Sequence, residues 1–477
     1  MNAEAAGRRL VEAILGRMRV GSVEIVENGT SRRFGRGEPT ATVVVRSPRV
    51  WTQVLHGSRG LAESYADGLW DSPDPADVVR VCALNIEPFD RIRRRLAPLR
   101  APLRRAHGVG RRNTRSRARA AIAAHYDRGN DLFELMLDPT MTYSCGFFES
   151  RDATLEEASL AKLDRVCRKL RLGPDDHVLE IGTGWGSFAM HAAGEYGCRV
   201  TTTTLSREQF DYASRTIRDS GLDGRVTLLL EDYRDLRGRY DKLVSIEMIE
   251  AVGSRDFGTF FECCSEVLEP DGTMLLQAIA IDDRAYEVER LSASFIREMI
   301  FPDGCLPSLG VISSRVAKHT DLRFIGLEDI SAHYVPTLRA WRANLEGSAD
   351  ELRRRGYDER FQRLWRFYLA YCEAGFAERR IRDVQLLLAK PQFREEVPSS
   401  QFPVASLGIA NWELLHGMDL EKVGASGPPR RQPGRDSDPV ARLHHARLLR
   451  RQRALLEQVE GLARLLVEHR ADAPVER

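Results

Sequence analysis

The stretch "VLEIGTGWGSF", Val178 to Phe188, decides the fold predicted for the middle of the chain. A short apolar run ends in three glycines, Gly182, Gly184 and Gly186, and helix-forming residues follow at once. Glycine lets a backbone turn sharply and approach a ligand closely. A strand that turns into a helix through such a loop is typical of the first unit of a doubly wound α/β sheet, with a ligand at the turn.

Further strand-like runs surround this turn, and helical stretches separate them. They are "HVLEI" itself and the later "RVTTTTL", "RVTLLLEDY", "KLVSIEM" and "GTMLLQAIAI". Alternating strands and helices indicate a parallel sheet covered by helices on both faces. We therefore predict a Rossmann-like domain over residues 120–400.

The glycine loop begins with Glu180 in the order E-x-G, which is typical of sites for S-adenosylmethionine rather than for a dinucleotide. The second strand ends in "TTTTLSREQ" and offers no acid for ribose hydroxyls. Thr204, Ser206 and Gln209 are the neutral candidates for those hydrogen bonds. In the next strand, "LEDYRDL", Asp232 could accept the adenine amino group and Tyr233 could pack on the ring or serve as a capping aromatic.

Composition narrows the class of protein. The chain has 477 residues, 43% hydrophobic and 29% charged, as in a globular protein. No apolar run approaches 18 residues, and the first ten residues lack a signal-peptide core. Eight cysteines without a C-x-x-C argue for reduced thiols and against a structural zinc. These features favour a cytoplasmic location.

Three other segments flank the predicted sheet. Residues 1–90 mix short β-like and helical runs and read as a separate N-terminal domain. Residues 91–119 hold twelve arginines and no acid, so they form either a solvated linker or an arm that docks on an anionic membrane. The positive charge would also suit nucleic acid, but no recognised nucleic-acid-binding motif accompanies it. We therefore expect no nucleic-acid partner. Residues 401–477 read as a linker and a final helix, whose leucine seam could pair between subunits.

Several motifs together resemble the cyclopropane-fatty-acyl-phospholipid synthases and the mycolic acid cyclopropane synthases. They are "AHYDRGNDLFELMLDPTMTYSCGFF", E-x-G-x-G-W-G, T-L-S-x-E-Q, "IEAVG" and "FPDGCLPS". The resemblance covers about residues 57–390 in consistent order, and "GSRGLAESYADGLWD" in the N-terminal segment matches as well. The resemblance implies an S-adenosylmethionine-dependent methyltransferase acting on unsaturated phospholipid chains. It also implies that residues 1–90 handle lipid.

The resemblance assigns residues to the cofactor site. Those matching its loop or walls are Tyr143, Ser144, Gly182, Gly184, Thr204, Leu205, Gln209, Tyr233 and Ile246.

A bicarbonate ion beside the reacting carbons is also implied. Its ligands correspond to Glu250, the backbones of Cys145 and Ile279, and Tyr334. Glu250 would thus grip the ion, unless its carboxylate merely serves a turn. Members of the family carry a histidine two residues before the backbone ligand, whereas this chain has Gln277, which can donate a hydrogen bond but cannot titrate. They also read E-H-V-G at the glutamate, where this chain has Ala251 in second place.

Cys372, in "YLAYCEAGF", matches a cysteine once favoured as a nucleophile in the family. The implied chemistry needs no thiolate, so we interpret Cys372 as part of the pocket wall.

The implied reaction transfers the sulfonium methyl to a cis double bond and leaves a carbocation on the neighbouring carbon. Aromatic faces can stabilise that cation, and Tyr143, Phe147, Phe148 and Tyr334 are the candidates. Loss of a proton from the new methyl closes a cyclopropane. A preceding hydride shift would instead give a methylene, which a partner reductase could convert into a methyl branch.

Two other functions stay open at this point. One is a methyltransferase acting on a small amine or natural product, and the other is a non-catalytic lipid-binding scaffold. The favoured reading is a lipid-modifying enzyme without a metal, held peripherally at the inner membrane face.

Overall fold

The computed structural model describes residues 3–87, 115, 129–290, 292, 294–302 and 304–395. Residues 1–396 form one compact unit. The arginine-rich stretch apart from Arg115, the first residues of the "AHYDRGN" motif and the predicted terminal helix lie outside the described residues. Predictions that concern them, including membrane docking and self-association, stay predictions. So do the domain boundaries.

The N-terminal part of the chain builds its own small sheet with helices beside it. Its elements are α1 (Ala3–Leu15), β1 (Gly21–Glu27), β2 (Thr30–Arg36), β3 (Thr40–Val45), α2 (Val50–Gln53), α3 (Gly57–Ala66), β4 (Trp70–Asp71) and α4 (Pro75–Leu84). The strand order is β2-β1-β3-β4, and β1 and β3 run parallel.

The second part of the chain builds a seven-stranded sheet. Its strands are β5 (His177–Ile181), β6 (Arg199–Thr203), β7 (Val226–Leu229), β8 (Tyr240–Ile246), β9 (Leu268–Ile281), β10 (Arg323–Asp329) and β11 (Ile381–Ala389). The order is β10-β11-β9-β8-β5-β6-β7. Strands β7, β6, β5, β8 and β9 pair in parallel, while β11 pairs antiparallel with β9 and β10. The predicted doubly wound α/β fold is confirmed.

Helices cover both faces of this sheet. They are α5 (Asn130–Met136), α6 (Leu155–Leu170), α7 (Ser187–Glu195), α8 (Arg207–Asp219), α9 (Phe257–Val267), α10 (Asp283–Arg290), α11 (Leu309–His319), α12 (Ser331–Gly347), α13 (Ala349–Arg354) and α14 (Glu359–Ala377). A 3₁₀ turn, Ile249–Ala251, follows β8, and a π-helical turn, Ile296–Ile300, precedes α11.

Local sequence explains where key helices begin. Thr154 and Glu157 form a reciprocal capping box at the start of α6. Ser206 accepts from the backbone N–H of Gln209 and so caps α8. These caps fix where α6 and α8 begin. Both helices lie beside the carboxyl ends of β5 and β6, and the ligand of such a sheet is expected at these strand ends.

The two sheets share a continuous core. Tyr65 and Trp70 from the N-terminal part pack their rings against Phe367 of α14, with ring centroids 5.5 and 6.2 Å away. Arg80 reaches Glu378 at 2.7 Å, and Arg342 reaches Asp74 at 2.5 Å. The N-terminal sheet is thereby fixed against α12 and α14, which form one wall of the site. Within the described residues, no helix is both long and apolar enough to cross a bilayer.

Candidate active site

The glycine loop adopts the backbone that its sequence predicts. Gly182, Gly184 and Gly186 have φ values of 105°, 54° and 98°, a region that other residues adopt at a cost. A Cβ at position 182 would lie 3.1 Å from the Met248 side chain, while one at position 184 would point into open space. The loop therefore leaves room for a ligand over the carboxyl end of β5.

A cavity of about 150 Å³ lies at this loop. Ten of the residues predicted for the cofactor line it, namely Tyr143, Ser144, Glu180, Gly182, Gly184, Thr204, Leu205, Gln209, Tyr233 and Ile246. Gly186 and Asp232 are not among its lining residues.

Neutral side chains end the second strand as predicted, but they do not all face the cavity. Thr204 Oγ1 donates to Gln209 Oε1 at 2.8 Å, so the two side chains orient each other. Ser206 is used as the cap of α8 and does not line the cavity. Thr204 and Gln209 remain the candidates for ribose hydroxyls.

Asp232 is engaged away from the cavity. Its two carboxylate oxygens accept from the Arg234 guanidinium at 2.7 and 2.6 Å. The adenine contact predicted for Asp232 stays a prediction without support from this arrangement. Tyr233 does reach the cavity, and its ring also packs against Phe260 at 5.5 Å.

A much larger cavity, of about 630 Å³, runs from the N-terminal sheet to the carboxyl ends of β8 and β9. Most of its walls are apolar. From the N-terminal part come Val11, Leu15, Val23, Ile25, Val43, Val45, Trp51 and Val54, and from the second part come Ile279, Ile281, Phe301, Tyr334, Leu338, Trp341, Tyr368 and Cys372. This volume and lining suit a flexible apolar ligand.

The two cavities meet at the end of β8. Tyr143, Glu247 and Ala251 line both of them. A group held in the small cavity and an apolar chain held in the large one would face each other at these residues.

The carboxylate of Glu247 accepts three hydrogen bonds at this junction. Its Oε1 accepts from the Cys145 backbone N–H and from Gln277 Nε2, both at 2.8 Å. Its Oε2 accepts from the Tyr334 hydroxyl. Two groups predicted to bind bicarbonate, the Cys145 N–H and the Tyr334 hydroxyl, therefore bind a side-chain carboxylate of the chain itself, and so does Gln277 at the place of the family's histidine.

Glu250, itself a predicted ligand of bicarbonate, accepts from the remaining predicted donor, the backbone of Ile279. Its Oε1 accepts from the Ile279 backbone N–H at 2.5 Å, and its buried Oε2 has no hydrogen-bond partner. Burial, together with the nearby charge of Glu247, raises the pKa of Glu250 to about 8. Glu250 is therefore largely protonated at neutral pH.

A third carboxyl, Asp383 on β11, completes the cluster. Gln277 Nε2 donates to Asp383 Oδ2 at 2.9 Å as well as to Glu247. Gln385 Nε2 donates to Gln277 Oε1 at 3.0 Å and so holds the amide of Gln277 in this orientation. Burial, and then the charges of Glu247 and Glu250, raise the pKa of Asp383 well above its usual range.

One buried cation faces this cluster. Lys162 of α6 is 1% exposed, and its Nζ donates to Ser144 Oγ at 2.8 Å. Burial lowers the pKa of Lys162, and the charges of Glu247, Asp383 and Glu180 oppose that effect. Glu180 is itself buried and accepts from the Thr202 hydroxyl at 2.6 Å, and burial raises its pKa to about 8.

The aromatic candidates for cation stabilisation divide into two pairs. Tyr143 and Tyr334 line the large cavity, whereas Phe147 and Phe148 do not. Phe147 instead packs on His333 at 4.0 Å and under the Arg165 guanidinium at 3.9 Å. Tyr143 and Tyr334 are therefore the aromatic groups that the structure places at the junction.

Neither Cys372 nor Cys145, the two cysteines assigned to the site from the sequence, has the character of a nucleophile. Cys372 lines the large cavity, and burial raises its pKa to about 12. Burial likewise raises the pKa of Cys145 well above the usual value. This agrees with the interpretation of Cys372 as a wall residue.

The two expected small molecules fit the site differently. S-adenosylmethionine fits, because the open glycine cradle at Gly184 and the polar pair Thr204 and Gln209 surround the smaller cavity. Bicarbonate does not fit, because Glu247 and Glu250 already accept from its three predicted donors, the Cys145 and Ile279 N–H groups and the Tyr334 hydroxyl, and Glu247 accepts from Gln277 as well. An added anion there would also face the Asp383 carboxyl.

Sequence reasoning did not assign three members of the cluster, Glu247, Lys162 and Asp383. A signal existed for Glu247, which is a carboxylate inside the apolar run "SIEMIEAVG". Lys162 is one of only six lysines in the chain. Asp383 interrupts the strand "IRDVQLLLA", but only the pairing of β11 with β9 brings it to the site.

The sequence is similar to that of several known proteins. The family model described as mycolic acid cyclopropane synthetase matches residues 113–386. The tuberculostearic acid methyltransferase UfaA1 of Mycobacterium tuberculosis is 38% identical over 329 residues, which cover 67% of this chain and 76% of that protein. The cyclopropane-fatty-acyl-phospholipid synthase of Escherichia coli K12 is 38% identical over 361 residues, covering 73% of this chain and 87% of that protein.

Solved structures give the same picture. The cyclopropane synthase MmaA2 from Mycobacterium tuberculosis aligns with a TM-score of 0.54 and 32% identity, covering 57% of this chain and 98% of that one. The mycolic acid cyclopropane synthase CmaA1 complexed with SAH and CTAB aligns with a TM-score of 0.53 and 30% identity over 57% of this chain and 98% of that one.

Proposed function

The chain belongs to the mycolic acid cyclopropane synthetase family, and from this premise we propose that it modifies the cis double bond of unsaturated phospholipid acyl chains. The carbon comes from S-adenosylmethionine, and the product is a cyclopropane or a methylene that precedes a methyl branch. Family membership confirms the coarser predictions, namely a methyltransferase that uses S-adenosylmethionine and acts on lipid.

The observation that carries the proposal is the meeting of two cavities of opposite character. The smaller lies on the glycine loop, and the larger is an apolar space of about 630 Å³. They join at Tyr143, Glu247 and Ala251, where a methyl donor and an alkene would have to meet. Such a junction aligns the reacting groups and excludes water from them.

The apolar cavity favours an acyl chain as the occupant. Each methylene moved from water into such a space contributes about 0.8 kcal/mol, so a long chain gains several kcal/mol from burial alone. A small amine would gain little there, which disfavours that alternative. The scaffold alternative is disfavoured by an intact glycine loop and a clustered set of ionisable groups at the junction.

Three guanidinium groups suggest why the chain would belong to a phospholipid. Arg290, Arg297 and Arg380 line the same cavity among its apolar residues. Guanidinium groups bind phosphate well, so a lipid phosphate would find partners here. The acyl tail would then extend among the valines of β1 and β3.

The residues at the junction have separable tasks. The bound cofactor supplies an electrophilic methyl group. Tyr143 and Tyr334 present aromatic faces to the positive charge that develops on the acyl chain. The walls around Ile279 and Phe301 keep water from capturing that charge. A carboxylate must then remove one proton from the transferred carbon.

A phospholipid substrate would determine where the protein works and which enzyme acts next. The protein would work peripherally on an anionic inner membrane face, and a reductase would consume a methylene product.

The purified protein tests the proposal directly. We expect vesicles containing dioleoyl phosphatidylglycerol, incubated with methyl-labelled S-adenosylmethionine, to gain label in their acyl chains by mass spectrometry. Vesicles of saturated phosphatidylglycerol serve as the control and should gain none. Label found in an added amine but not in acyl chains would contradict the proposal and support the amine alternative.

A further inference from the structure

We propose that the carboxylate of Glu247 is the catalytic base of this enzyme and stands where a bound bicarbonate was expected. The inference rests on the proposed function, because it concerns the proton that the lipid product must lose. Four independent features of Glu247 carry it: its donors, its backbone, its charge and its position.

The donors come first. The Cys145 N–H, the Gln277 amide and the Tyr334 hydroxyl converge from three different segments on one carboxylate. Gln277 is held in turn by Gln385 across the β9–β11 pair. Such a converging, supported set is an anion site, and a side chain of the protein fills it.

The backbone gives the second argument. Glu247 has a φ of 49°, in the left-handed region that a residue with a Cβ adopts only at a cost in free energy. Glycine would adopt the same conformation freely. The chain therefore carries a strained glutamate where a glycine would be easier, and the strain places the carboxylate among its three donors.

The third argument concerns charge. Burial raises the pKa values of Glu247, Glu250 and Asp383, so the cluster does not hold three negative charges at neutral pH. Hydrogen-bond donors favour the ionised form, and Glu247 receives three of them. Glu250 receives one, and its buried Oε2 has no partner. Asp383 receives one from Gln277, and a side-chain hydrogen bond with Glu247 raises the pKa of Asp383 further, which leaves the proton on Asp383. The negative charge therefore belongs to Glu247.

The fourth argument concerns position. Glu247 lines both cavities, whereas Glu250 lines only the large one and Asp383 lines neither. Of the three carboxyl groups, only Glu247 borders both the methyl donor and the alkene.

The chemical step balances with this base. The alkene electron pair forms a bond to the methyl carbon, and the carbon–sulfur pair leaves with sulfur. A Glu247 oxygen then takes a proton from the transferred carbon. The released C–H pair closes the ring, or forms the exocyclic double bond if a hydride has first moved to the cationic carbon. No external anion takes part.

Two substitutions of Glu247 separate the role of its charge from the role of its shape. Glu247→Gln keeps the size and the contacts of the side chain but cannot accept a proton as a carboxylate does. Glu247→Gly relieves the left-handed strain and frees the donors for a dissolved anion, so it should fold at least as well as the parent. Arg171→Gly, at another left-handed position with a φ of 54°, controls for strain relief, and Glu262→Gln controls for loss of an exposed carboxylate.

The experiment measures label transfer to dioleoyl phosphatidylglycerol in buffer purged of carbon dioxide and in the same buffer with added bicarbonate. The parent protein should turn over equally in both. Glu247→Gln should lose at least ~100-fold, the usual scale for a positioned acid–base group. Glu247→Gly should lose as much in purged buffer and regain turnover as bicarbonate is added. Calorimetry should show S-adenosylmethionine binding unchanged in both variants.

Two results would overturn the assignment while leaving the proposed function intact. One is parent turnover that depends on added bicarbonate, and the other is Glu247→Gln turnover equal to that of the parent. If the parent transfers no label to any acyl chain, the proposed function itself fails. The two failures are thus distinct.

Discussion

At the scale of single residues, the carboxylates after β8 link backbone conformation to chemistry. The backbone of Glu247 adopts a left-handed conformation. The carboxyl of Glu250 is buried, and its Oε2 has no hydrogen-bond partner. Both features lower stability, and both place a group at the cavity junction. Costs of this kind are characteristic of functional sites.

Glu250 should make stability depend on pH in a defined direction. The unfolded chain releases this proton near pH 4.5, whereas the folded chain holds it to about pH 8. The folded state therefore binds more protons between these values, and stability falls as pH rises, by at most about 1.4 kcal/mol per pH unit. Glu250→Gln should remove this loss, so its advantage over the parent should grow from pH 4.5 to pH 8 in urea unfolding.

The exposed Glu262 offers a matched control for this measurement. Glu262→Gln, measured in parallel, shows what the loss of an exposed carboxylate does by itself. A difference between Glu250→Gln and the parent that stays constant from pH 4.5 to pH 8 would show that Glu250 is ionised in the folded protein.

Gly182 gives a second test at this scale. Gly182→Ala places a Cβ at a φ of 105° and within 3.1 Å of Met248, so the loop must shift. We expect S-adenosylmethionine affinity to fall by at least about tenfold, or about 1.4 kcal/mol, as measured by calorimetry. Gly221→Ala, at a φ of 68° with open space around it, is the control and should bind normally.

The cofactor wall could be predicted from sequence because its residues are close to one another along the chain or belong to recognisable motifs. Ten of the thirteen predicted positions line one cavity, and Gly186, Ser206 and Asp232 do not. Asp232 does not line the cavity as predicted, because the guanidinium of Arg234, two residues away, donates to both of its carboxylate oxygens. The carboxylate cluster could not be predicted, because Asp383 reaches Gln277 only through strand pairing across 106 positions.

At the scale of elements, local signals placed most of the sheet. The run "HVLEI" coincides with β5, and the other four predicted runs overlap β6, β7, β8 and β9. Their order along the chain and the intervening helices imply parallel pairing. The antiparallel pairing of β11 was not foreseen, because its apolar run resembles that of a parallel strand and its direction depends on α12 and α14.

Helix α6 should owe part of its stability to Thr154, the N-cap residue that precedes it. The Thr154 hydroxyl accepts from the Glu157 backbone N–H. The Glu157 carboxylate accepts in turn from the Thr154 backbone N–H at 2.8 Å. Thr154→Ala should cost about 1 kcal/mol in urea unfolding. Thr154→Ser should cost much less, since it keeps the hydroxyl. Equal losses for the two variants would mean that the methyl group, not the cap, matters.

At the scale of the whole molecule, the N-terminal sheet and the catalytic sheet share one cavity. Residues 1–90 were predicted to handle lipid, and Val43 and Val45 of β3 do line the apolar space. We therefore expect the N-terminal part to limit the length of the acyl chain at β3, and substitution there tests this.

Val43→Phe should narrow the far end of the cavity. We expect activity on long unsaturated chains to fall relative to shorter ones, as judged by acyl-chain profiles from mixed vesicles. Val44→Phe is the control, because successive side chains of a strand point to opposite faces and Val44 does not line the cavity. The same profile for both variants would place the acyl chain elsewhere.

The three arginines of the large cavity provide a test of the phospholipid headgroup. Arg297→Gln should raise KM for anionic phospholipid several-fold with little change in kcat, because a binding contact is lost rather than a chemical one. Arg218→Gln, on the exposed side of α8, is the control. A fall in kcat at unchanged KM would contradict a headgroup role for Arg297.

The measurement that tests the account most directly is the fate of the labelled methyl group in purified components. The protein, methyl-labelled S-adenosylmethionine and dioleoyl phosphatidylglycerol vesicles are mixed, and the acyl chains are analysed by mass spectrometry and proton NMR. The account predicts acyl chains heavier by one labelled CH₂ unit, with cyclopropyl or exocyclic methylene protons. Unchanged acyl chains, with S-adenosylmethionine binding intact, would contradict it.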